Sequence, residues 1–250
     1  MRLAIDVGNS DTKFGFHLNG QWAGVWRRPT ALVEDPQELA DWLASTASGA
    51  GLPMEIEAVA CVSVVPEKDA VIQGVAPLIS GKEAVFLRPL EVTGLKLLYN
   101  PPESIGADRI ANILGALKQY QAPLIVVDFG TATTLEVCSE EGFIGGAILP
   151  GVKLQLESLG SGTSKLPEIE PIPMERAIGQ DTRESILSGV VLGHVAAIEG
   201  LIARTQSELT KPATVLGTGG FAHLFMGATQ GIQHYVPQLT LEGALSILPA

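Results

Sequence analysis

Two short segments, one in each half of the chain, repeat a single pattern: Asp6-Val7-Gly8-Asn9-Ser10-Asp11-Thr12-Lys13 and Asp128-Phe129-Gly130-Thr131-Ala132-Thr133-Thr134. Each follows an apolar run that reads as a buried strand, closes that strand with Asp, turns on Gly and leaves along a second strand. Such a turn has a chemistry. Glycine lets backbone approach a phosphate closely, N–H and hydroxyl groups donate to it, and an Asp at the strand end can hold a hydrated cation. Taken singly, either turn is also an ordinary hairpin, because Gly-Asn and Ser-Asp are common turn residues and threonine favours strands in any case. Recurrence in both halves is the constraint: the chain must build the same strand-turn-strand unit twice.

The rest of the sequence can be read around those turns. Strands are expected at Arg2 to Val7, Thr12 to Leu18 and Gln21 to Arg27, with turns at Gly8 to Asp11 and Asn19-Gly20. Helical spacing runs from Asp35 to Ser48 with Pro36 in the first turn, then a strand over Ile56 to Val65, a helix over Pro66 to Ile79 and a short strand over Ala84 to Leu87. A helix over Ala107 to Tyr120 leads to the strand Leu124 to Val127, and a second meander follows at Thr133 to Cys138 and Phe143 to Leu149. The stretch Leu166 to Pro173 reads as an ordered connector. Asp181 to Ser207 is expected to be the longest helix, with Asp181 as its N-cap; a strand at Thr214 to Leu216, a loop at Gly217 to Gly220 and a final helix from about Leu241 complete the chain. The two halves divide into domains at 1–115 and 116–250.

Charge and cysteine usage narrow the functions. Lys and Arg number 16 against 27 Asp and Glu, a net charge of −11 that repels polyanions, and no basic cluster offsets it. Nucleic acid is not an expected partner. The apolar start Leu3-Ala4-Ile5 is broken by Asp6 and is too short for a signal-peptide core or a membrane span, so no membrane association and a cytoplasmic location are expected. Cys61 and Cys138 stand alone, with no CxxC or histidine-rich neighbour, and read as reduced, packed thiols.

Two further segments carry chemistry. Gly219 and Gly220, in Leu216-Gly217-Thr218-Gly219-Gly220, permit a flat surface to lie against backbone after a strand. Gly106-Ala107-Asp108-Arg109 opens a helix, where Asp108 can take a proton from an attacking hydroxyl and Arg109 can fork onto a carboxylate or carbonyl. An Asp in a first helical turn is also favourable to the helix dipole, with the adjacent Arg as a solvated neighbour.

The two Asp-x-Gly hairpins resemble the phosphate motifs of the actin-like ATPase and sugar-kinase superfamily. That resemblance implies an α/β fold of two similar ribonuclease H-like domains, with mixed sheets flanked by helices and a cleft between them. The ordered series of these hairpins with Tyr99-Asn100-Pro101, Gly106 to Arg109, Gly145 to Ile148 with Pro150-Gly151, Gly179-Gln180-Asp181-Thr182, Ser188-Gly189, Thr218 to Gly220 and Pro237 to Gly243 resembles type III pantothenate kinases over almost the whole chain.

The resemblance implies ATP-dependent phosphorylation of (R)-pantothenate by a homodimer using Mg²⁺ and a monovalent cation, K⁺ or NH₄⁺. It implies ATP contacts from Asp6, Val7, Gly8, Asn9, Ser10, Asp11, Thr12 and Lys13, and from Thr131, Gly219 and Gly220. Asp108 would be the general base, and Tyr99, Gly106, Ala107, Asp108, Arg109 and Thr182 would hold pantothenate. Asp128 would bind the monovalent cation, and Asp6 would hold Mg²⁺, directly or through water. Three positions depart from the family's usual pattern. Ser10 replaces the commoner Thr and keeps the hydroxyl, Asp181 stands where Asn is usual, and Glu136 stands where Asp is usual. A regulatory protein on the same fold, or a kinase of another small hydroxylated acceptor, are the competing readings.

Overall fold

The computed structural model describes residues 1–162 and 169–249. Residues 166–168 of the expected connector lie outside these, and the remainder of it, 169–173, has no regular secondary structure. The chain forms two compact units, Met1–Gln119 with Leu239–Ala250, and Tyr120–Gln238.

The first unit is built on a five-stranded sheet, β1 (Arg2–Val7), β2 (Asp11–Leu18), β3 (Gln21–Pro29), β4 (Ala58–Ser63) and β5 (Val85–Phe86), in the order β3-β2-β1-β4-β5. β1 to β3 form an antiparallel meander, whereas β4 and β5 run parallel to β1. Those parallel steps need crossovers, and helices supply them. α1 (Pro36–Gly49) starts where the Asp35 side chain accepts from the Glu38 N–H at 2.8 Å and Pro36 supplies a preset φ. α2 (Pro66–Ser80) also begins on Pro and ends at Gly81, whose φ of 66° suits a left-handed cap. Leu39 and Leu43 of α1 and Ile72 and Val75 of α2 bury against Leu3, Ile5, Phe14 and Phe16 of the sheet.

The second unit repeats the plan. β6 (Leu124–Phe129), β7 (Ala132–Ser139), β8 (Gly142–Pro150), β9 (Thr214–Thr218) and β10 (His234–Tyr235) lie in the order β8-β7-β6-β9-β10, with an antiparallel meander on one side of β6 and parallel partners on the other. The sheet's core face packs on the long helical run 182–208, an α-helix α5 (Thr182–Leu187), a wide π turn (Ser188–Leu192) and α6 (Gly193–Glu208). This run is long and apolar enough to cross a membrane by length and composition, but Leu187, Val191, Ile198 and Ile202 are its buried stripe in a protein core. α4 (Val152–Gly162) and β10 carry too little periodic signal to be read from sequence.

The domain division differs from the expected 115/116. α3 (Ala107–Leu117) belongs wholly to the first unit, and α7 (Leu239–Leu245) returns to it from the chain's end. The return is fastened by close glycine packing: a Cβ on Gly243 would lie 1.9 Å from the Ala111 carbonyl oxygen, and one on Gly115 would lie 2.3 Å from that of Leu239. Thr240 donates to Asn112 Oδ1 at 2.8 Å in a buried pair, and Glu242 accepts from Trp22 Nε1 at 2.6 Å and Lys118 Nζ at 3.2 Å. Glycines for close approach and polar pairs for register thus anchor one short helix. Both cysteines are buried and unpaired, and burial pushes the Cys138 thiol up to about 11.

Candidate active site

Asp6 and Asp128 occupy equivalent places. Each sits at the C-terminal end of the strand, β1 or β6, that has an antiparallel neighbour on one side and a parallel neighbour on the other. Ligands of open α/β sheets bind beyond the carboxyl ends of strands at such switch points. The sequence repeat is therefore a repeat of position as well as of residue type.

In the first hairpin, Asp6 faces Lys13 across the β1–β2 ladder, and the two form an ion pair at 2.8 Å. The turn closes with the Gly8 N–H donating to the Asp11 carbonyl at 3.1 Å, a Cβ on Gly8 being only 3.0 Å from that oxygen. Thr30, just after β3, holds the turn from behind: its hydroxyl donates to the Gly8 carbonyl at 2.7 Å, and its N–H donates to that of Ser10 at 2.9 Å. Thr12 is fully buried with its hydroxyl 3.0 Å from that of Thr30, so its side chain braces the turn from inside, while Asn9, Ser10 and Asp11 are exposed. Val7 is buried and can offer only backbone. Thr30 was not found from sequence, since a lone Thr following a strand carries no local signal.

In the second hairpin, Asp128 pairs in register with Thr134 on β7 and Thr218 on β9. Gly219 follows with φ of 100°, and a Cβ there would meet Asp128 Oδ1 at 2.4 Å and the Phe129 nitrogen at 2.5 Å. Only glycine can bring the β9 loop this near the carboxylate. The adjoining Phe221 N–H donates to the Phe129 carbonyl at 3.0 Å, which ties the Gly219-Gly220 turn to the hairpin. Gly151 donates to the Thr131 carbonyl at 3.0 Å and thereby joins the start of α4 to the same turn.

The first turn of α3 carries the third group. Gly106 caps the helix in extended conformation, and the Asp108 carboxylate accepts from the Arg109 N–H at 2.8 Å. That carboxylate folds back over Gly106, where a Cβ would lie 2.5 Å from its Oδ1. The positive end of the helix favours a negative charge here. Arg109 is not the solvated neighbour that its type suggests: it is buried, and its guanidinium lies 5.8 Å from the centre of the Tyr99 ring, within cation–π range. Tyr99, Gly106, Ala107, Asp108 and Arg109 are thus brought together in the first unit.

Thr182 lies in the second unit, on the wall of a cavity of about 840 Å³ shared with Leu159, Gly179, Asp181, Ser185 and Ile186. Asp181 is committed to the helix start. Its Oδ1 accepts from the Glu184 N–H at 2.7 Å, the N-cap bond, while Glu184 Oε2 accepts from the N–H of Gln180, the residue before the cap, at 2.8 Å. The Asp in place of Asn is therefore spent on α5. Glu136 is fully buried in β7.

Comparison with known proteins agrees with this arrangement. The family model for type III pantothenate kinase matches residues 2–204. The type III pantothenate kinase of Phenylobacterium zucineum (strain HLK1) is 38% identical over 256 residues, covering 99% of this chain and 97% of its own. That of Caulobacter vibrioides (strain ATCC 19089 / CIP 103742 / CB 15) is 37% identical over 251 residues, with 99% and 96% covered. Among solved structures, the ROK hexokinase from Thermus thermophilus aligns over 98% of this chain and 97% of its own with a TM-score of 0.51 at 13% identity, a likeness of fold. The doubled sheet is that of the two-domain, ribonuclease H-like sugar-kinase architecture. With the paired hairpins, the Asp108-Arg109 helix start and near full-length relatives in agreement, this chain belongs to the type III pantothenate kinase family.

Proposed function

We propose that the protein transfers the γ-phosphoryl group of ATP to the primary hydroxyl of (R)-pantothenate, giving 4′-phosphopantothenate and ADP, the first step of coenzyme A biosynthesis. The observation that carries this reading is the equivalence of Asp6 and Asp128 at the switch points of two like sheets, in a chain whose relatives are named for that reaction. The pantothenate hydroxyl oxygen attacks the γ-phosphorus, the bond to the ADP oxygen breaks, and the hydroxyl proton passes to the Asp108 carboxylate. Asp108 suits this role because its carboxylate is oriented by the Arg109 N–H at a helix N-terminus. Arg109, held over Tyr99, binds the pantothenate carboxylate or carbonyl as a fork, with Gly106, Ala107 and Thr182 completing the acceptor site.

The hairpin Asp6 to Lys13 takes the ATP phosphates, with Thr131, Gly219 and Gly220 as further ATP contacts. Mg²⁺ supplies charge neutralisation at the phosphates, as Mg²⁺ is usually bound through one or two carboxylates plus substrate oxygens. Asp6, an oxygen donor already beside the Lys13 ammonium, is the residue that would hold it, directly or through water. Asp128, a carboxylate walled by the backbone of Gly219, would hold K⁺ or NH₄⁺. The exposed small residues Gly189, Gly193, Ala196 and Gly200 along the π turn and α6 suit close packing against a second copy, in support of a homodimer. The net charge of −11 speaks against nucleic acid or an anionic membrane surface as partner, in keeping with the cytoplasmic location proposed for this enzyme.

A coupled assay of ADP release, with ATP, Mg²⁺ and K⁺ or NH₄⁺, tests the proposal. Turnover that depends on pantothenate is expected, and Asp108→Asn should abolish it while leaving the thermal unfolding midpoint in place. Turnover with other hydroxylated acceptors but not pantothenate, or none with any acceptor, overturns it in favour of the competing readings.

A further inference from the structure

A buried polar chain lies behind the second hairpin, and no part of the reaction described above uses it. His194 of α6 is almost fully buried, boxed by the rings of Phe129 and Phe225 with centroids at 6.2 and 5.2 Å. Its Nε2 is 3.0 Å from the Thr133 hydroxyl, and its Nδ1 is 2.9 Å from Gln155 Nε2. The same Gln155 nitrogen donates to the Pro150 carbonyl at 2.8 Å.

These contacts settle the proton positions. A carbonyl oxygen only accepts, so the group of Gln155 facing Pro150 is the NH₂, and its second hydrogen points at His194 Nδ1. Nδ1 must then be the bare acceptor, and Nε2 carries the hydrogen that Thr133 accepts. A doubly protonated ring would set N–H against N–H, and burial among the rings already pulls the histidine below its ordinary range. The ring is thus held neutral and in a single tautomer.

The chain joins four elements at one place. Thr133 is the β7 partner of Phe129, so it flanks the Gly130-Thr131 turn directly. Pro150 ends β8, and Gln155 sits on α4, whose preceding Gly151 donates to the Thr131 carbonyl. A Cβ on Gly151 would lie 2.3 Å from that same oxygen, so the turn and the start of α4 cannot move apart or together independently.

We propose that His194 is a positioning residue for nucleotide binding, which through Thr133 on one side and Gln155 on the other sets the Thr131 turn in the geometry that receives ATP. Thr133 is too deeply buried to reach a substrate, so its effect passes through the backbone of the turn. This inference rests on the reading of that turn as an ATP contact. It predicts a cost that falls mainly on the nucleotide: His194, Thr133 and Gln155 all lie in the second unit behind the Thr131 turn, whereas most of the proposed pantothenate contacts, Tyr99 and Gly106 to Arg109, belong to the first.

The test compares His194→Leu, His194→Gln and Thr133→Val with wild type by steady-state kinetics and by titration with a non-hydrolysable ATP analogue. His194→Leu and Thr133→Val should each raise KM for ATP and the analogue Kd about five- to tenfold, with KM for pantothenate within twofold. His194→Gln, whose amide can accept from Gln155 and donate to Thr133, should restore most of the loss. The double variant His194→Leu/Thr133→Val should be no worse than either single change, because both cut one connection. Unchanged analogue affinity overturns the proposal, as does a loss shared equally by both substrates that glutamine fails to rescue. A wild-type protein that binds the analogue but does not phosphorylate pantothenate would sink the proposed reaction while leaving the analogue titration to decide this inference. A wild type that binds no analogue refutes both.

Discussion

Substituting Gly243 by Ala should loosen the hold of the last helix on the helix that carries Asp108. The new methyl would sit 1.9 Å from the Ala111 carbonyl oxygen and 2.4 Å from its carbon, both backbone atoms that no rotamer change can clear. Ordinary contact requires α7 to withdraw by about 1.5 Å. Two responses are open to it. Undocking altogether exposes Leu239, Leu241 and Leu245, all buried, at about 1.5–3 kcal/mol each. Sliding while staying docked strains the packing, a cost of about 1–3 kcal/mol. The second is smaller, so the helix should shift and remain, taking Ala111 and, one turn away, the Asp108-Arg109 start of α3 with it. Urea unfolding followed by far-UV circular dichroism should show a loss of about 1–3 kcal/mol with an unchanged m-value. KM for pantothenate should rise while KM for ATP changes less. Gly49→Ala serves as the control, since a Cβ there meets nothing within 4 Å. A loss at Gly243 below about 0.5 kcal/mol, the range of an exposed substitution, would refute the argument from close packing.

Other perturbations have equally definite outcomes. Arg109→Lys removes the planar fork and its stacking over Tyr99 but keeps the charge, so KM for pantothenate should rise about tenfold or more in steady-state kinetics; an unchanged KM would take the guanidinium out of acceptor binding. Gly219→Ala forces a side chain into φ of 100° and against Asp128, and it should destabilise the protein by about 2–4 kcal/mol by chemical denaturation, with activation by K⁺ weakened in the coupled assay. His194 is held neutral in the fold by burial, whereas the unfolded chain takes up a proton near 6.5, so protons favour unfolding: stability should fall as pH drops below 6.5, and His194→Gln should flatten that limb of the curve. Stability of wild type and variant that declines in parallel from pH 6.5 to 5 would contradict this.

Much of the fold is legible in the sequence because it is written in local patterns. The apolar runs ending at Asp6 and Asp128 lie at the centres of the two sheets, and the turn after each is as short as Asp-x-Gly requires. Asp35-Pro36 and Asp181 announce helix starts, and both side chains cap as their type and spacing suggest. Some candidate site residues carry a local signal of the same kind: Gly219 has φ of 100°, a conformation glycine adopts most readily, and Asp108 falls in the first turn of a helix, where a carboxylate is favourable.

Tertiary structure alone decided the rest. Nothing in Leu239 to Leu245 says that it abandons the second unit for the first; that follows from the fit of Gly243 on Ala111 and Gly115 on Leu239, contacts between residues more than a hundred positions apart. Arg109 reads as a surface residue beside an acid until the fold buries it over Tyr99. Thr30 and His194 have no local motif, and they matter only because β3 ends behind one turn and α6 crosses behind the other. Periodicity and turn chemistry are properties of neighbours along the chain, so sequence determined the repeated strand-turn-strand unit and the residue types at its turns. Which distant side chains brace those turns depends on packing between elements, and only the folded chain brings those elements together.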